Sequence, residues 1–291
     1  MVIYLKLVLA MVFWGGAFVA GRIVVRDVGA FSTAFLRFAL ASVLLGVVVF
    51  VRYGKFPKIT WRQFGEIAVL GFSGVFLYNS CFFMGLKTVE ASRASVIVAA
   101  NPVIIVLLAA YFFKERLGVV KVVGIVLSLA GAVTVISKGH PGEIFRGQLG
   151  AGEVYIFCCV LTWAVYPLLG KRVMKRLTPL VAVAYSVMAG TVMLFVPAWV
   201  EGLFVDMASC PAVGWCGIVY LGVFPTVIAF VWFYEGIHKL GAGRAGLFIN
   251  FVPVFAVLSA YLILKEPVTW SLLAGMAMVV LGVYLTNSRV R

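Results

Sequence analysis

Residues 85–131 read GLKTVEASRASVIVAANPVIIVLLAAYFFKERLGVVKVVGIVLSLAG, and residues 236–282 read GIHKLGAGRAGLFINFVPVFAVLSAYLILKEPVTWSLLAGMAMVVLG. Superposed at a shift of 151 residues with no gap, they match Gly85 with Gly236, Arg93 with Arg244, Pro102 with Pro253, Lys114-Glu115 with Lys265-Glu266, Gly124 with Gly275 and Gly131 with Gly282. A shift of 149 lays Trp14 on Trp163, Gly21 on Gly170, Arg22 on Lys171 and Arg26 on Lys175. Self-similarity at a fixed period means a duplicated structural unit. The division expected is a single membrane transport domain made of repeat 1, residues 1–145, and repeat 2, residues 146–291.

Composition says what each copy is. Of 291 residues 64% are hydrophobic and 12% charged, which excludes disorder and an ordinary soluble domain. A spanning helix takes roughly 20 apolar residues, so ten use about 200 and leave only short connections. Apolar runs predict helices at 3–21, 32–51, 64–84, 92–112, 118–137, 152–170, 179–200, 212–236, 243–264 and 269–287. The fold class expected is an all-α polytopic membrane protein of ten transmembrane helices. Five spans per copy is an odd number, so the second copy enters the bilayer inverted. Inverted repeats usually serve alternating access.

The net charge of +14 has a membrane explanation, because Lys and Arg gather in cytoplasmic loops; no nucleic-acid partner is expected. Sixteen Lys and Arg lie on the side of the amino terminus and seven on the other, with Arg37 inside a span. That bias puts both termini in the cytoplasm of a multi-pass protein of a cell, or inner, membrane. The first span is read as retained and not as a cleaved signal. The five cysteines, three within apolar runs, form no disulfide or zinc framework; neither a cofactor nor a metal site is expected.

Pro102 and Pro253 each fall near the middle of a span, where proline frees the carbonyl four residues earlier, here that of Val98 or Ile249. Broken backbone at membrane depth points to a central site. Asn79, Asn101 and Asn250 lie deep in spans and should face the interior, as solute contacts or as glue between helices. Phe72, Phe76, Asn79 and Phe83 recur at helical spacing and predict one aromatic face, with Phe230 and Tyr234 as the repeat equivalents of Asn79 and Phe83. Trp14 and Trp163 occupy matching places, and Tyr166 lies one turn from Trp163. The expected chamber is lined by spans 1, 3 and 4 with 6, 8 and 9. Trp14, Tyr78, Asn79, Trp163 and Tyr166 would contact solute, with Phe230 in the wall; Asn101, Pro102, Asn250 and Pro253 would shape the broken helices. Apolar walls with few polar groups suit a small amphiphilic organic solute.

None of the ten acidic residues lies mid-span, which favours facilitated diffusion or exchange over proton coupling. Glu66, Glu153 and Glu235 near span ends are the fallback. Arg37 has two readings: its stem lets the guanidinium snorkel to headgroups, or it attracts an anionic group such as a solute carboxylate. Gly124 with Gly131, and Gly275 with Gly282, each share a helix face and predict close helix packing.

Together Phe13-Trp14-Gly15, Phe35-Leu36-Arg37 and the duplicated Phe113-Lys114-Glu115-Arg116-Leu117 and Leu264-Lys265-Glu266-Pro267-Val268 resemble the EamA family of the drug/metabolite transporter superfamily. The resemblance covers essentially the whole chain. It implies ten helices in two inverted five-helix repeats around a central cavity, and export of metabolites such as amino acids or of toxic organic compounds. The second half departs from the pattern: Ala164 follows Trp163, and Ser186 stands where Arg37 would repeat.

The function expected is thus a non-enzymatic membrane carrier, of a prokaryote, that exports or equilibrates small organic metabolites, amino-acid-like or amphiphilic. Its partners would be a small-molecule solute and the lipid bilayer, with a second copy in a homodimer left open. A lipid-handling or scaffold protein is the competing reading. A remoter one is an intramembrane serine protease, suggested by Gly71-Phe72-Ser73-Gly74, which would need His238 as the base.

Overall fold

A computed structural model of the chain describes residues 2–113, 118–140, 150–173, 176–240, 245–246 and 248–287. All of the first Lys-Glu signature after Phe113, Lys114 to Leu117, and Lys175 and Arg244 of the repeat match lie outside the described residues.

The architecture is all-helical among the described residues, with ten apolar spans. Spans 1 to 3 are Val2–Val24, Ala30–Tyr53 and Trp61–Leu86. Span 4 is broken into Ala91–Val98 and Asn101–Phe113. Spans 5 to 7 are Val119–Ile136, Ala151–Val173 and Pro179–Glu201. Span 8 joins Ala212–Val223, Phe224–Ile228 and Ala229–Leu240, span 9 runs over Ile249–Leu264, and span 10 is Trp270–Asn287. Seven of these are long and apolar enough to cross a bilayer; shorter apolar stretches in spans 6, 9 and 10 complete the set. A short helix between spans 7 and 8, Leu203–Ser209, is an addition to the sequence expectation. An even number of crossings brings both ends to one face, called here the near face; the opposite one is the far face.

Local chemistry sets the boundaries. Span 2 stops at Gly54, whose positive φ of 69° turns the chain while its N–H bonds the Phe50 carbonyl at 2.7 Å, the left-handed termination that glycine allows. Span 3 opens with a capping box: the Thr60 hydroxyl accepts from the Gln63 N–H and the Gln63 amide oxygen accepts from the Thr60 N–H. Span 9 ends at Lys265, a non-glycine residue at φ 57°, which throws the next residue, Glu266, off the helix axis.

Contacts between repeat-equivalent residues locate the symmetry axis. Ser42 and Thr191, 149 apart, touch hydroxyl to hydroxyl at 2.9 Å. Spans 5 and 10 pack backbone to backbone through their glycines, so that a Cβ on Gly124 would lie 2.6 Å from the Gly282 carbonyl oxygen and one on Gly131 2.7 Å from that of Gly275. Exchange of partners under the shift is what a two-fold relation requires. The close packing expected of these glycines is formed between the two repeats.

Candidate functional site

Of three π-helical segments among the described residues, one ends span 9 at Ala260–Leu264, while residues 71–77 in span 3 and 224–228 in span 8 overlap at the shift of 151. A π turn adds a residue to the helical circuit and disturbs the backbone ladder, and such segments concentrate at functional sites. In span 8 the cause is Pro225, which has no N–H to offer the Leu221 carbonyl. The Thr226 hydroxyl donates to that carbonyl at 2.8 Å, and its oxygen accepts from Arg37 Nε at 3.1 Å. In span 3 the Asn79 amide nitrogen donates to the Val75 carbonyl at 2.9 Å and to that of Gly74 at 3.3 Å. Its oxygen, Oδ1, then accepts from Arg37 Nη1 at 3.3 Å.

Arg37 therefore bridges the disturbed helices of both repeats. It is only 8% exposed and Asn79 2%, and the guanidinium lies 4.8 Å from the Phe38 ring centre and 6.0 Å from that of Phe83. The snorkelling reading is corrected: two inward hydrogen bonds and the facing Phe rings turn the head into the bundle. A guanidinium carries five N–H donors, of which Nε and one on Nη1 are engaged. No carboxylate stands within ion-pair distance of it among the described residues. A charge so buried is costly without a partner, which makes Arg37 a candidate functional position.

Beside this bridge lies an aromatic stack. Tyr78 and Trp163 have ring centres 4.9 Å apart, and Trp163 stacks on Tyr166 at 5.3 Å and 12°. The Tyr166 hydroxyl reaches Ser186, the repeat equivalent of Arg37, at 3.3 Å, and any side chain at Gly74 would run into the Tyr166 ring. Trp14 belongs to a second cluster with Phe230 and Phe233, at 5.5 and 5.1 Å, and its indole N–H donates to the Pro225 carbonyl at 2.9 Å. The matching tryptophans thus sit in two separate clusters, Trp163 with spans 3 and 6 and Trp14 against span 8.

Other expectations fare unevenly. Phe83 is fully buried, but Phe72 is 47% exposed and stacks on Phe76. The predicted single face of Phe72, Phe76, Asn79 and Phe83 is corrected, because the π turn between them breaks the 3.6-residue spacing on which it rested. The break in span 4 lies at Ala99-Ala100, and Asn101 opens its second half, 7% exposed with Oδ1 unpartnered. In span 9 the carbonyl of Ile249 accepts from Val252 N–H in a tightened turn, and Pro253 begins the following helix. Asn250 there is half-buried, not deep. Cavities open on the surface away from these residues. One of about 500 Å³ lies at the far face beside Arg93, Lys138, His140 and Trp270, and one of about 530 Å³ is an apolar groove beside Ser42, Phe50, Phe56 and Met188. Neither is lined by the Arg37 bridge or the aromatic stack. Thr226 and Pro225 are the site residues that the sequence reading missed; a proline inside an apolar span followed by a hydroxyl residue was the available signal.

The fallback carboxylates are engaged at the rim. Glu153 pairs with Arg93 at 3.3 Å, Glu66 with Arg62 at 3.6 Å and Glu235 with Lys6 at 2.7 Å. The Ser73 hydroxyl donates to the Val69 carbonyl at 3.0 Å, and the side chain of His238 lies outside the described residues.

The model of the EamA-like transporter family matches twice, over residues 1–137 and 150–288. The chain belongs to the EamA-like transporter family. As an EamA-like protein it is a membrane transporter and not an enzyme, which removes the protease reading. Its relatives include the transporter YyaM of Bacillus subtilis, 28% identical over 99% of this chain and 94% of that protein. A transporter of Archaeoglobus fulgidus is 30% identical over 97% of each. A third, a probable terminal-alkyne amino-acid exporter of Streptantibioticus cattleyicolor, is 29% identical over 97% of this chain and 92% of that one. A solved crystal structure shares the fold at a TM-score of 0.66 and 21% identity, covering 98% of this EamA-like chain and 96% of the other.

Proposed function

We propose that this EamA-like transporter exports small amphiphilic carboxylates, amino acids among them, by exposing a central site to each face of the cell membrane in turn. The observation that carries the reading is Arg37: a buried guanidinium with donors to spare and no carboxylate beside it. A solute carboxylate supplies the missing charge and takes the free N–H groups, a charge-assisted pairing stronger than neutral hydrogen bonds. The relative named as an amino-acid exporter is consistent with that cargo.

The Tyr78, Trp163 and Tyr166 rings receive the apolar part of the solute. They touch one another, so loading requires them to part. Trp14 and Phe230 form the corresponding wall on the span 8 side. Asn101, Pro102, Asn250 and Pro253 supply the interrupted helices about which the lining spans bend. The near face is cytoplasmic, given the bias of basic residues toward it. Transport proceeds by exchange or facilitated diffusion, since the carboxylates that would relay protons sit at the rim in ion pairs.

The test is counterflow in proteoliposomes with a panel of hydrophobic amino acids and the amines that lack their carboxyl group. At least one amino acid should be carried while its amine is not, and Arg37→Gln should lower that flux at least tenfold. Equal transport of acid and amine, or full flux in Arg37→Gln, contradicts the reading. Strict dependence on an imposed pH gradient refutes exchange.

A further inference from the structure

Two carboxylates that the mechanism above leaves unused, Glu201 and Glu266, meet the starts of two helices across the repeat boundary. The first N–H groups of a helix have no partner within it, and its positive end attracts an anion. At the start of span 2, Ala30 N–H donates to Glu201 Oε1 at 2.9 Å, while Phe31 and Ser32 donate to Oε2 at 2.6 and 3.0 Å. Lys87 approaches the same carboxylate at 3.5 Å, and Gly29 N–H donates to Asp206 at 3.0 Å. At the start of span 4, Ala91 and Ser92 N–H donate to Glu266 at 2.8 and 2.9 Å, and the Ser92 hydroxyl adds a bond of 2.6 Å. Glu266 is 9% exposed. Both carboxylates come from span ends of repeat 2, both are received by helix starts of repeat 1, and both lie on the far face.

The near face is built differently. The residue equivalent to Glu201 is Arg52, which cannot accept a hydrogen bond. The start of span 7 is met instead by the neutral contact of Tyr53 with Thr178, at 2.9 Å and exposed. The equivalent of Glu266, Glu115, lies outside the described residues.

We propose that Glu201 and Glu266 are the latches of a far-face gate, which must leave the span 2 and span 4 helix starts whenever the carrier opens to that side. The proposal rests on the alternating-access reading. The latches give the carrier a resting state closed at the far face, the state in which an exporter loads from the near side, and they assign a role to the Lys-Glu signature of the second repeat. Lys265, by leaving the helix in a left-handed turn, aims Glu266 at the span 4 start.

The test uses spin-label distances in the purified full chain with its five cysteines replaced. The far-face pair is Arg26→Cys with Ser209→Cys, and the near-face pair is Lys55→Cys with Arg176→Cys; all four sites are exposed. Glu201→Gln and Glu266→Gln, each alone and together, should enlarge the population with long far-face distances by about fivefold or more, the shift expected from losing a charge-assisted cap. The near-face distances should shorten in step. Unchanged far-face distances, with or without a lower melting temperature, overturn the proposal, since a carboxylate that only caps a helix would show that result. If Glu266→Gln does not fold, Glu201→Gln decides alone. No solute enters this measurement, so its failure is separable from failure of the transport assay.

Discussion

Arg37 carries the account at the scale of single residues, and its chemistry separates stability from function. Replacing a lone buried cation with an apolar side chain of similar length removes a desolvation cost while orphaning two acceptors, Asn79 Oδ1 and Thr226 Oγ1. Arg37→Met should therefore change the unfolding free energy by no more than about 2 kcal/mol, read from thermal melts in detergent, while flux disappears. Asn79→Leu is the contrasting case, because it strips a hydrogen bond from a buried charge and leaves the π segment's carbonyls unserved. It should destabilise by about 2 to 4 kcal/mol as well as slow transport. Trp163→Ala should insert in the membrane normally and reduce flux; normal flux in both this variant and Asn79→Leu would refute the placement of the site. Arg37 was legible in the sequence as an arginine inside an apolar span, but its direction was not. Whether a long side chain turns to headgroups or to the bundle depends on neighbours 42 and 189 residues away, which no local pattern encodes.

At the scale of elements, regular helices were readable and irregular ones were not. Every span sits close to its apolar run, because burial in lipid demands about 20 such residues regardless of context. The π segments left a proline in span 8 but nothing comparable in span 3, so the face drawn through Phe72 and Asn79 was wrong at Phe72 while Asn79 and Phe83 are buried as expected. The glycines of spans 5 and 10 belong to the readable class. Gly131→Leu must push the two backbones apart where they now lie in contact and should cost more than about 2 kcal/mol; a melt unchanged from the parent would deny that the pairing is tight. Between spans 1 and 8, Glu235 is held down to about 2 by hydrogen bonds from Lys239 and Lys6, just past the apolar stretch Ala212–Phe233. A carboxyl whose folded value is depressed contributes stability above its ordinary value of 4.5, and that contribution fades as pH falls toward 2. In acid titrations of the detergent-solubilised protein, Glu235→Gln should lower stability near neutrality, flatten the profile between those limits and match the parent at the acid end.

For the molecule as a whole, the duplication made the topology legible before any coordinate: two shifts, an odd span count per copy and the matching glycines already imply an inverted pair. What sequence alone could not supply is which carboxylates tie the copies together, since Glu201 and Glu266 find helix starts about 170 residues earlier in the chain. The latches, the Arg37 bridge and the aromatic stack all lie where the repeats meet, which is where a carrier must move. The most direct measurement of the central claim joins the repeats across the far face by a cleavable thiol crosslinker between Thr88→Cys and Thr269→Cys in the cysteine-free chain. Counterflow of hydrophobic amino acids is then followed before and after cleavage. The account predicts that crosslinked protein carries nothing and that cleavage restores the flux. Undiminished flux through the crosslinked form would contradict it.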